Sequence, residues 1–210
     1  LLAASNKWSA GMAARLLRIS LIGVALAIMP TAAFAHSGDG SAGFIHGMVH
    51  PMSGQDHILA MLLVGMLAFR QGGRALWLVP GSFMLVMALG GALGAPGIPV
   101  PSVELGIALS VVVLGLVVAL GINAPVAAAM GLVGLFAIFH GHAHGVEMPV
   151  QATGLAYGAG FLIATALLHA GGILAGSLSG RLSSRYGAMA SRTAGGLAAM
   201  AGVGLLTGVL

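Results

Sequence analysis

The chain contains no cysteine, which removes disulfides and thiolate metal ligands at once. It is also poor in charge: Asp, Glu, Lys and Arg make up 6% of its 210 residues, where a soluble domain carries about 25%. A water-facing globular surface cannot be built from so little. Acidic residues are the scarcest, four against eight basic ones. No P-loop and no HExxH pair occurs. That excludes a self-contained nucleotide-driven pump and the familiar zinc-hydrolase arrangement.

Apolar length stands in place of charge. The composition is 59% hydrophobic with 35 glycines, and mean hydropathy is +1.06. Runs approaching 20 apolar residues recur, the length that crosses a ~30 Å hydrocarbon core. An all-α, polytopic membrane protein is expected, with glycines at the contacts between helices.

The first apolar run has a different character. In "ARLLRISLIGVALAIMPTAAFA" the basic residues Lys7, Arg15 and Arg18 precede an apolar stretch that ends in small residues at Ala33 and Ala35. This is the pattern of a secretory signal peptide cleaved after Ala35; an uncleaved first helix is the alternative. Residues 1–35 are then the leader, and 36–210 are a single membrane domain beginning at His36. Three of the eight basic residues fall in the leader and all four acidic ones beyond it, so the mature chain is nearly neutral. A nucleic-acid partner is not expected.

Six mature spans follow from apolar runs and their punctuation: about 54–69, 75–93, 103–120, 126–140, 152–178 and 194–210. With the mature N-terminus outside, the linkers after the first, third and fifth spans face the cytoplasm. They carry Arg70 and Arg74, then no basic residue, then Arg181, Arg185 and Arg192. Every basic residue of the mature chain falls on that side, as the positive-inside rule requires. The lipid bilayer of a bacterial inner membrane, with a periplasmic N-terminus, is the expected location.

Histidine is concentrated on the other side. His36, His46, His50, His57, His140, His142 and His144 all map to the outer half, beside Asp39, Asp56 and Glu147. In "HPMSGQDHILAMLLVG", residues 50–65, Pro51 and Gly54 favour a turn feeding the first span. Asp56 and His57 then lie in its first turn, where the helix N-terminus favours an anion, and His50 folds back toward them. Asp56 as a plain helix cap is the competing explanation. In "FHGHAHGVEMP", His140 and His144 share a face if the segment is helical; the alternative is a backbone opened at Gly141 and Gly145. His169, in "GFLIATALLHAGGI", lies twelve residues before Arg181. At ~1.5 Å per residue that is mid-bilayer, where an ionisable group points to a pathway or a site facing the bundle interior. Thr165, one turn earlier, lies on the same face.

Imidazole and carboxylate together suit a divalent transition metal. Thioethers suit Cu(I), and Met48, Met52 and Met148 lie near the motifs, but scattered Met in a membrane protein is ordinarily packing. Other classes are open at this point: an intramembrane metal-dependent enzyme, a haem carrier with paired histidines, and an accessory protein that binds metal without transporting it.

The three segments "HPMSGQDHILAMLLVG", "FHGHAHGVEMP" and "GFLIATALLHAGG" also resemble, in order and spacing across the mature chain, the signature segments of the HupE/UreJ family. Those are small bacterial membrane proteins associated with nickel hydrogenases and ureases and regarded as secondary nickel, in some cases cobalt, permeases. The resemblance implies a transported Ni²⁺ or Co²⁺, no organic cofactor and no catalysis. Nickel-enzyme maturation proteins are the implied partners. The metal-ligand set it implies is His50, Asp56 and His57, then His140, His144 and Glu147, then His169. His36, His46 and His142 are further candidates outside the fixed positions of the pattern.

Overall fold

In a computed structural model the chain is described over residues 40–150, 152–180 and 184–209. The expected leader (1–35), His36, Asp39 and Arg181 lie outside the described residues. Helices are α1 Gly40–Val49, α2 Gln55–Gln71, α3 Ala75–Gly94, α4 Val103–Leu120, α5 Val126–Val146, α6 Gly154–Gly180 and α7 Ser184–Thr207. No strand occurs among the described residues.

Pro51 and Gly54 act as expected. A single 3-10 turn, His50–Met52, ends α1, and Gly54, with extended backbone, precedes α2. The two helices meet at 79°. Helices α3, α4, α5 and α6 are long and apolar enough to cross a membrane, and the bent α1–α2 pair makes a fifth candidate span. Helix α7 is 24 residues long, but Ser184, Arg185, Ser191, Arg192 and Thr193 make its first half polar. It falls short of the same apolar standard.

Two expected boundaries are corrected. The fourth span was expected to stop near residue 140, yet α5 continues unbroken to Val146. The last was expected from 194, and α7 starts ten residues earlier. The first has a physical cause, close packing through glycine. A methyl on Gly141 would run into the Met87 carbonyl, and one on Gly145 into that of Gly91; Gly90 and Gly94 of α3 are as tightly opposed by Ile138 and His142. In isolation each helical glycine costs about 1 kcal/mol against alanine. Here backbone-to-backbone contact offsets that cost.

The other seams follow the same rule. Gly65 meets the His169 carbonyl, and Gly172 meets that of Leu62, holding α2 against α6. Gly115 faces Gly195 between α4 and α7. Outside the seams, Trp77, Leu85, Leu89, Leu135, Leu167 and Met200 are more than half exposed, an apolar surface suited to lipid rather than water. Inside, among the largest fully buried side chains, His57, His140 and His169 stand with Phe83, Met61 and Leu114. Imidazoles so placed need partners.

Candidate metal site

The α1–α2 bend brings His46 and His50 against the ends of α5 and α6. His50 Nε2 lies 2.8 Å from Glu147 Oε2. His144 Nδ1 is 3.3 Å from the same oxygen, within ion-pair range but off hydrogen-bond alignment, since that nitrogen has no hydrogen-bond partner. His50, His144 and Glu147 each offer one ligand atom, and the three atoms lie within 4.8 Å of one another. Glu147 follows the last residue of α5, outside the span. Contact with His144, then His50, holds its carboxyl down at about 2 against the upward pull of partial burial. It is an anion at neutral pH.

A deeper cluster begins on the far edge of His144. Its Nε2 is 3.3 Å from His57 Nδ1, and His57 Nδ1 is 3.3 Å from His140 Nδ1. Two hydroxyls assign the tautomers. Ser110 Oγ donates to the Ile107 carbonyl at 2.6 Å, so at 2.9 Å it accepts from His140 Nε2. Thr165 Oγ1 points its proton at Met87 Sδ and accepts from His57 Nε2 at 3.4 Å. Each ring's Nδ1 is thereby left as an acceptor, and the two face each other, with the His57 one also within reach of His144 Nε2. Nitrogens ~3 Å apart suit neighbouring ligands of one metal, whose bonds to imidazole are about 2.0–2.1 Å. A hydroxyl or carbonyl on the remote nitrogen is the usual means of orienting a ligating imidazole.

Imidazoles continue in both directions. His46 stacks on His50 at 5.4 Å between ring centroids, and His50 meets His144 edge-on at 5.0 Å. Beyond His140, the Phe83 ring lies 5.9 Å away and 5.4 Å from His169. His169 is buried, and neither ring nitrogen has a partner. Phe161 and Tyr157 wall the chain of rings from α6.

The structure thus unites His50, His144 and Glu147, joins His57 and His140 to them, and sets His169 one phenyl ring beyond. It does not bring in Asp56 or His142. Asp56 Oδ1 accepts the His57 backbone N–H at 2.7 Å within the first turn of α2, and His50 pairs with Glu147 rather than with Asp56. His142 donates to the Ile98 carbonyl at 2.7 Å on the α3 side. Thr165 shares the His169 face but serves His57. Sequence reasoning missed Ser110 and Phe83; the only signal was a lone hydroxyl within the apolar run "LGIALSVVV".

A family model described as HupE / UreJ protein matches residues 24–205. Protein HupE of Rhizobium leguminosarum bv. viciae is 47% identical to this chain over 180 residues, covering 86% of this chain and 93% of that protein. No solved structure matches.

Proposed function

The chain belongs to the HupE / UreJ family, and from that premise we propose that it is a secondary permease. Its cargo is Ni²⁺, with Co²⁺ as the second candidate, carried into the bacterial cytoplasm for nickel-enzyme maturation. The observation that carries the reading is the run of imidazoles from exposed His46, through the His50–His144–Glu147 group, to buried His57, His140 and His169. Glu147 supplies the charge that attracts the ion. His57 and His140 bind it in turn. His169, with both nitrogens unpartnered, receives it beyond Phe83. Successive sites of moderate strength suit conduction, since one tight site would retain the ion. Asp56 adds negative charge near His57 without ligating.

In this reading the chain crosses the inner membrane six times, with α1–α2 as one bent span and α7 as the last, and with the histidine end outside. A proton moving onto an imidazole as metal leaves, or the membrane potential itself, drives transport; Glu147, held ionised, is not the proton acceptor. The competing reading is an accessory protein that binds metal without moving it, for which the half-buried His50–His144–Glu147 group alone would suffice.

Uptake of radioactive nickel into cells or vesicles carrying the protein, with competing Co²⁺, Zn²⁺ and Mg²⁺, separates the two. Nickel accumulation above vector controls is expected; binding without accumulation assigns the accessory role. His169→Gln keeps a hydrogen-bonding amide but is a poor ligand. It is expected to cut uptake at matched expression and leave equilibrium binding at the outer group intact. Near-normal flux in that variant removes His169 from the path.

A further inference from the structure

At the end of the bundle away from the histidines, α2, α4, α6 and α7 enclose a cavity of about 300 Å³. Arg70 and Arg192 line it beside the apolar side chains of Met66, Phe69 and Val118. Arg70 caps α4: its Nη1 donates to the carbonyls of Val117 and Val118 at 3.4 and 3.3 Å, and its Nη2 to Asn123 Oδ1 at 3.2 Å. Gly121 ends α4 at φ 75°, and its missing side chain leaves the space into which both guanidiniums turn. A Cβ there would lie 3.0 Å from Arg192 Nη2 and 3.2 Å from Arg70 Nη2. Two cations converge on one point.

No described carboxylate answers them. The protein has four acidic residues. Asp56 and Glu104 occupy the first turns of α2 and α4, the far ends of the helices whose last turns form this cavity. Glu147 is committed to the histidines, and Asp39, just before α1 in the sequence, lies outside the described residues. What remains is the C-termini of α2, α4 and α6, each equivalent to roughly half a negative charge, against two full positive ones with the positive N-terminus of α7 beside them. The site is under-neutralised. Guanidinium forks match the oxygens of a phosphate, and the apolar wall suits the glycerol and acyl portion of a lipid. Basic pockets between transmembrane helices are known to take anionic headgroups.

We propose that Arg70 and Arg192 form a binding site for a phosphate group, carried either on an anionic lipid headgroup or by a soluble phosphate. Occupancy would brace the far end of α2, the helix that presents His57.

The full chain, purified in a neutral detergent, is titrated with phosphatidylglycerol in mixed micelles, with phosphatidylcholine, whose phosphate is internally neutralised, and with sodium phosphate. Thermal unfolding midpoint and adduct mass by native mass spectrometry are followed. A saturable rise with phosphatidylglycerol alone assigns a lipid headgroup; a rise with sodium phosphate as well assigns a site for phosphate in general. Arg192→Gln, which spares the Arg70 cap on α4, is expected to weaken the effective probe about tenfold, the loss of one charge-assisted contact. Arg74→Gln, an exposed arginine outside the cavity, is expected to leave it unchanged. Failure of both probes to exceed phosphatidylcholine overturns the proposal, as does Arg192→Gln binding like the parent.

Discussion

His144 stands between two groups, its Nδ1 toward Glu147 and its Nε2 toward His57. Its removal should therefore cost more than the loss of either neighbour. His144→Ala is expected to weaken nickel binding by more than the 10- to 100-fold typical of changing an outer partner, measured by calorimetry on the purified protein. It should also lower uptake, because the outer group is then cut off from the buried pair. Glu147 contributes in a different way. Its carboxyl is held down at about 2 chiefly by His144 and so is ionised at neutral pH. The sign follows: its stabilising contact with the histidines is complete above the ordinary carboxylate value and is lost only as pH falls toward 2. Between about pH 5 and 8 the Glu147 carboxylate therefore keeps its charge. Glu147→Gln should thus reduce nickel affinity by a similar factor at each pH in that range. An effect that fades toward the acidic end would show that Glu147 titrates there and that the histidines do not hold it ionised.

At the scale of helices, glycine seams place the histidines. Gly141 lies between His140 and His142, pressed on the Met87 carbonyl, so Gly141→Ala must push α3 and α5 apart. A lower unfolding midpoint is expected, together with weaker nickel binding as His140 moves away from His57. Gly131→Ala, on the same helix with open space around it, should be neutral or slightly stabilising. A Gly141→Ala protein as stable as the parent would remove the seam from the account. The same seams explain how far the sequence was legible. Apolar length located α3 and α4 nearly to the residue, and Pro51 with Gly54 marked the bend before α2. The end of α5 was hidden because glycine spacing looks like a helix break unless the partner helix is known. His140 and His144 on one face followed from periodicity. Their meeting with His57, more than eighty residues away in the chain, depends on which helices pair, which no local pattern encodes. Ser110 escaped for the same reason, since its value lies in the ring it touches.

Over the whole molecule, charge is sorted by end. Asp56, Glu104 and Glu147 begin helices or follow them at the histidine end, while Arg70 and Arg192 close the other. A cation arriving at the acidic, imidazole-rich end would meet attraction first and arginine last. Inward movement down a negative-inside potential gains about 2.3 kcal/mol per charge for each 100 mV whichever way the bundle is inserted, so its orientation decides which end an incoming cation meets first. The native chain has no cysteine, and single cysteines therefore report their own position. Ala95→Cys lies exposed in the turn after α3, at the end where His142 meets Ile98. Ile122→Cys lies exposed in the loop after α4, beside the arginine pair. Neither change removes a charge that sets topology. An impermeant maleimide added to intact spheroplasts is expected to label Ala95→Cys and to spare Ile122→Cys until the membrane is opened. The reverse pattern would put the arginines outside. The histidines would then face the cytoplasm, and a cation drawn inward by the potential would meet the arginines first and the imidazole run last, which would remove that run as the entrance for uptake.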